Sequence, residues 1–299
     1  MTDSQRPEML TRLGDDMRRN GDAAGAIGLY RAASQADPRD PVTLERMGDA
    51  FTDVNDPARA EQAFRGELAI DPHNATAERG LALALLAQNK AAEALPILQR
   101  LAQGSSDPRL LRADGTALDM VGRPGDAQAV YRSGLQFAPI DADLHGNLAL
   151  SLALSGDAAD ALTEMQAAIA SPNPDPRQDA NAVLVLALTG NADAARTRGD
   201  ATIGAAATEA LLARAQQAVS AADARSRAIA VGVVTSNASS APPLASALLP
   251  PATATPVAIT DQPVPQMATD QAARPVSSPA SPPPNRTDPI PTSSLPMPH

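Results

Sequence analysis

The chain has no cysteine and no tryptophan, and its 299 residues include only 2 tyrosines and 3 phenylalanines. Without cysteine there is no disulfide framework, no thiolate metal site, no cysteine nucleophile and no acylated lipobox residue. Lysine is nearly missing as well: Lys90 is the one lysine among 24 basic residues, so the positive surface is arginine. The formal net charge is −10, whereas binding a phosphate backbone needs a basic footprint, so nucleic acid is not an expected partner. Long apolar runs are also absent. The stretch Leu148-Ala149-Leu150-Ser151-Leu152-Ala153-Leu154 falls far short of the roughly 20 residues of a bilayer span, and no transmembrane segment is expected. The opening MTDSQRPEML holds no apolar core of a secretory signal. The chain as it stands therefore reads as cytoplasmic, and as periplasmic or envelope-associated if its true start lies upstream.

What is present is alanine and leucine. Apolar residues make up 43% of the chain and aromatics 2%, so small and aliphatic side chains must fill the core. These are the strongest helix formers and suit closely packed helices, so an all-α fold is predicted. The stretch from Pro7 to Pro38 sets the pattern. Leu10, Leu13 and Met17 step by three and four along one helical face, and Asn20-Gly21-Asp22 stops that helix. Asp22 can cap a second helix with Ala26, Tyr30 and Ala33 on its buried face, ended by Asp37-Pro38. The unit then recurs. Gly14 and Gly48, Tyr30 and Phe64, and Pro38 and Pro72 each lie 34 places apart.

Three further units follow the same register. Their small first-helix residues are Ala82, Gly115 and Ala149, and their large second-helix residues are Leu98, Tyr131 and Met165. A partial sixth unit carries Val183, Leu186 and the turn Gly190-Asn191. This period and pattern resemble the tetratricopeptide repeat, a helix-turn-helix unit that stacks into a superhelical solenoid. In that arrangement the small residue of the first helix meets the small residue of the second, Ala26 or Ala60 for example. The large residue four places on fills the gap to the next unit. The predicted organisation is a solenoid over residues 7–199, capping helices over 200–234 and a disordered tail over 235–299. The tail holds more than half of the 28 prolines and reads as a flexible tether.

No residue set suggests catalysis or a cofactor. The three histidines are His73 in a turn, His145 at a packing position and the terminal His299, with no metal-ligand spacing among them. The carboxylates lie on helical surfaces outside any acid/base context, and Gly156-Asp157 shares the repeat position of Gly21-Asp22, which points to capping. Catalytic, cofactor and metal sites are all expected to be absent, and the chain is not expected to be an enzyme.

The register instead predicts a partner groove lined by the first helices. Its N-terminal part is charged, with Asp15, Arg19, Asp49, Asp53 and Arg112, and Asp119 belongs to the same face. Its C-terminal part is apolar, with Leu150, Leu154, Leu184 and Leu188. Two occupants fit that apolar end: an amphipathic helix or peptide from a partner, or the chain's own cap around Leu211 and Leu212. A clamp for a C-terminal carboxylate, as in co-chaperones, is not expected, because the groove lacks lysine and Asn147 and Asn181 stand alone.

Residues 142–220 are similar to TadD-type Flp pilus assembly proteins. The resemblance lies in Asn147-Leu148-Ala149-Leu150, in Pro176-Arg177 followed by Asn181, and in Leu186-Ala187-Leu188-Thr189-Gly190. It implies a scaffold assisting assembly of a pilus or secretion apparatus, with secretin or pilus components as partners. The alternative is a cytoplasmic adaptor or chaperone-like protein that holds a client peptide in its groove.

Overall fold

The computed structural model of the chain describes residues 5–171 and 176–232, which form fourteen helices and no strand. The predicted tail, Pro172 and Asp175 lie outside the described residues. Twelve helices pair into six units: α1 (Gln5–Arg19) with α2 (Ala23–Ala36), α3 (Pro41–Asp53) with α4 (Pro57–Leu68), and α5 (Ala75–Ala87) with α6 (Ala91–Ala102). Next come α7 (Pro108–Met120) with α8 (Pro124–Phe137), α9 (Ala142–Ser155) with α10 (Ala158–Ile169), and α11 (Pro176–Leu188) with α12 (Ala192–Thr202). Then follow α13 (Ala205–Ser220) and α14 (Ala224–Val231). Each second helix also packs on the first helix of the next unit, so the described part is an all-α tetratricopeptide-repeat solenoid.

Local chemistry sets the helix limits. Asp22, Asp40, Asp56, Asn74, Asp107 and Asp141 each accept a hydrogen bond from a backbone N–H of the first turn that follows, satisfying a donor the helix itself cannot pair. Asp157 has the same place in its unit, but its side chain makes no cap bond, so the capping expectation fails there. The turn between the two helices of each unit contains one left-handed residue: Gly21, Asn55, Asn89, Gly122, Gly156 and Gly190. Asparagine tolerates that region better than other side chains, which explains why units two and three manage without glycine.

The small first-helix residues face a more specific partner than expected. The atoms nearest a Cβ built on Gly14, Gly48 or Gly115 belong to the rings of Tyr30, Phe64 and Tyr131 in the same unit, not to the facing alanines. Phe64 also reaches forward, since a Cβ on Gly80 of the next unit would meet its ring at 2.4 Å. Leu13 departs from expectation and is 49% exposed, while its register partners Leu81 and Leu148 are buried. The reason is positional: α5 and α9 have a preceding second helix to pack on, and α1 is the first described helix.

Candidate functional site

The first helices of neighbouring units lie side by side, α1 on α3, α3 on α5, α7 on α9 and α9 on α11, and so carry the groove face. Its charged end is internally paired. The Arg18 guanidinium spans two carboxylates of the next unit, Asp49 at 3.0 Å and Asp53 at 2.6 Å. Arg46 lies 3.5 Å from Asp15 and 2.8 Å from Glu45. The Tyr30 hydroxyl donates to Asp15 at 2.8 Å, and burial together with that carboxylate pushes the phenol pKa upward. Arg19 is exposed and pairs with Asp16 one turn back along α1. Burial pushes the Asp49 carboxyl up despite its arginine neighbours. Asp15, Arg18, Arg19, Arg46 and Asp53 line an open cleft of about 890 Å³, together with the turn residues from Gly21 to Ala24 and Val54.

Farther along, Glu67 is 1% exposed. Its Oε1 accepts from the Asn74 amide at 2.6 Å, while Oε2 has no hydrogen-bond partner. Burial, and then the nearby carboxylates of Glu45, Asp49 and Asp71, push its pKa to about 7.

In units four to six the groove face is covered. Arg112 is largely buried and pairs with Asp143, which also accepts from the Gln178 amide at 3.0 Å. Asp119, expected on the open charged face, is 3% exposed. It accepts from the Ser151 hydroxyl at 2.7 Å and from the Tyr131 hydroxyl at 3.0 Å, and burial pushes its pKa to about 7. Leu150, Leu154 and Leu184 are buried, and Leu188 is half-buried. They share one apolar cluster with Leu211, Ala215, Ala228 and Val231 of α13 and α14. The cap occupies the leucine end because the last units of a stack would otherwise leave that apolar area in water. Asp15, Arg19 and Asp53 thus line one open cleft, Asp49 pairs with Arg18 of its lining, and Arg112 and the leucines lie in the covered half.

His145 does more than pack. Its Nδ1 is 2.6 Å from a Glu164 oxygen and its Nε2 is 3.0 Å from the Pro139 carbonyl, which ties α9 to α10 and to the turn before it. Sequence reasoning missed the Tyr131–Asp119–Ser151 network. Its signal was the tyrosine itself, which repeats the place of Tyr30 and likewise donates to an aspartate of the facing helix. Among the described residues no group of three or more histidines and carboxylates is placed to hold a metal ion, and no helix is long and apolar enough to cross a membrane.

Comparisons with known proteins agree with this geometry. Residues 45–108 and 114–176 match the family model for the tetratricopeptide repeat. The uncharacterised protein y4yS of Sinorhizobium fredii is 40% identical over 97 residues, covering 32% of this chain and 53% of that protein. The chain therefore spans only about half the length of this curated relative. The crystal structure of PilW, a type IV pilus biogenesis factor, superposes with a TM-score of 0.57 at 18% identity, covering 66% of this chain and 93% of PilW. PilF of Pseudomonas aeruginosa superposes with a TM-score of 0.54 at 16% identity, covering 71% of this chain and 98% of PilF. At such identities the likeness is one of fold. The repeat register, the stacked helical pairs and the matched segments together show tetratricopeptide repeats over residues 45–108 and 114–176 of this chain.

Proposed function

We propose that the chain is a non-enzymatic scaffold that holds other proteins or peptides, and that it serves the assembly of a bacterial Flp/Tad-type pilus or secretion apparatus. The observation that carries the scaffold reading is the division of the groove face. One end is an open, charged cleft, and the other is closed by the chain's own cap. The pilus assignment draws on the resemblance of residues 142–220 to TadD-type proteins, and PilW, a type IV pilus biogenesis factor of the same fold, lends it direction. An envelope-associated location belongs to the same reading.

The test is deletion of the gene in its host, complementation with the full chain, and counting of surface pili by electron microscopy, together with cell fractionation. The expected result is loss of pili, recovery on complementation, and co-purification of the chain with secretin or pilus components. Normal pili with wholly cytosolic recovery would replace this reading with the cytoplasmic adaptor.

A further inference from the structure

The two cap helices have different relations to the stack. α13 continues it, packing on α11 and α12 as α11 packs on α9 and α10. Its exposed residues include Glu209, Gln216, Gln217 and Ser220, so the end unit already turns polar side chains to water, as a terminal unit must. α14 takes another course. While still touching α13, it lies against α7 and α9, three and two units back, on helices that carry the groove face.

Its hold there is specific but shallow. The Arg227 guanidinium donates at 2.9 Å to the Leu154 carbonyl, in the last turn of α9, where the helix has no N–H of its own to offer and partial negative charge favours an arginine. The backbone of Arg225 passes close to the turn after α7, its nitrogen 3.3 Å from a Cβ built on Gly122. Arg214 of α13 donates to the carbonyls of Ala230 and Val231, the last residues of α14. Yet only Ala228 and Val231 of its eight residues are buried, and Ile229 is 42% exposed. α13 buries Ala207, Thr208, Leu211, Ala215 and Ala218. A helix of two turns does not persist alone in water, so α14 keeps its form only while seated. An element with so little buried apolar area opens ahead of the rest of the fold.

The face beneath the cap is apolar where the other end of the groove is charged. Leu150 and Leu154 of α9 take the register places of Asp49 and Asp53 in α3. Both are buried and share one apolar cluster with Ala228 and Val231. The seat thus combines apolar side chains with the carbonyl end of α9, and α14 matches both with one arginine and two small apolar residues.

We propose that α14 is an autoinhibitory latch: its seat on α7 and α9 is a partner site, filled by a short helix of a partner protein when α14 lifts. The partner helix has the chemistry of α14 itself, an arginine for the α9 carbonyl end and small apolar residues one and four places on, as in Arg227, Ala228 and Val231. This rests on the scaffold reading, and it names the surface, the partner chemistry and the element that regulates access.

The probe is a synthetic peptide of residues 221–232 carrying a fluorophore and a photo-crosslinker. It is titrated into the full chain and into full-length Val231→Asp, which loosens the resident α14. The variant should bind the peptide saturably, with crosslinks within the ends of α7 and α9 and the turns that follow them. The unmodified chain should bind at least about tenfold more weakly, because its own α14 competes at high effective concentration. A peptide with Arg227→Ala should lose about tenfold against the variant, since it leaves the α9 carbonyl without its charged donor. Absence of saturable binding to the variant up to millimolar peptide overturns the proposal, and so do equal affinities for the two chains or crosslinks elsewhere. Hydrogen exchange in the unmodified chain is a second arm that does not depend on the variant folding. The amides of α14 should exchange at least about tenfold faster than those of α13. Equal protection would make α14 a permanent part of the cap and would also overturn the latch. Neither arm uses the pilus assay, so either reading can fail alone.

Discussion

A Cβ built on Gly48 would stand 2.7 Å from Cε1 of Phe64, and the same atom on Gly14 or Gly115 would stand 2.5 or 2.4 Å from Cε1 of Tyr30 or Tyr131. Those rings are fully buried and have nowhere to retreat. Where the second helix offers Leu98 or Met165 instead of a ring, the first helix has Ala82 or Ala149. Small and large residues are therefore matched within each unit. The repeat spacing showed both positions in the sequence but not that they touch, because a register gives places and not side-chain directions. Gly48→Ala is expected to lower the melting temperature. Overpacking costs roughly 1–3 kcal/mol, which outweighs the gain of up to about 1 kcal/mol from alanine's helix propensity. Phe64→Leu should cost stability alone yet suppress the effect of Gly48→Ala, so the double variant should lose less than the two single losses added. Simple additivity in thermal unfolding would refute the pairing.

At the scale of elements, α6 is the exception to the local rules, for it has Pro96 in its interior. A proline there removes one helix hydrogen bond and crowds the preceding turn, yet Ala94 and Leu98 on either side are buried and hold the helix in place. Tertiary packing overrides the local penalty, so the apolar spacing located this helix correctly although its proline argued against it. Pro96 is exposed and fills no core space. Pro96→Ala should therefore raise the melting temperature, by a share of the roughly 3 kcal/mol penalty left after the entropy that proline removes from the unfolded chain. A lower melting temperature would show that the ring has a packing role. The turns were legible for a related reason: a left-handed residue is needed at one place per unit, and only glycine or asparagine occupies it. The path of α14 was not legible. Its eight residues carry no repeat, and its position follows from contacts with helices far earlier in the chain, such as Arg227 with Leu154, 73 residues back.

For the whole molecule, the solenoid was legible because each unit contacts mainly its neighbours, and a one-dimensional stack repeats in sequence what it repeats in space. The division of the groove into a charged and an apolar end was legible too, with the cap as one of two occupants for the leucines; which of the two covers them was not, because it depends on where the cap returns. Burial within the stack also has an electrostatic consequence. Of the four buried carboxylates among the described residues, Glu61 is held down by its hydrogen bond with Lys90, while Glu67 and Asp119 are each pushed up to about 7 and Asp114 to about 6, with burial the first cause in all three. Asp114 takes the register place of Leu81 and Leu148, and its Oδ1 has no hydrogen-bond partner. In the unfolded chain such groups titrate near pH 4. The folded chain therefore binds these protons more tightly. The stability they contribute is complete below about pH 4 and is lost as pH rises toward 7, where the folded protein must ionise buried groups. The melting temperature should accordingly be higher at pH 5 than at pH 8, opposite to the behaviour of a protein held by salt-bridged acids. Glu67→Gln keeps the Asn74 contact within reach and cannot ionise, so it should raise the melting temperature at pH 8 and flatten the slope between the two pH values. A slope identical in wild type and Glu67→Gln would place the titrating groups elsewhere, and a melting temperature that climbs from pH 5 to pH 8 would show that these carboxylates are solvated in the folded chain.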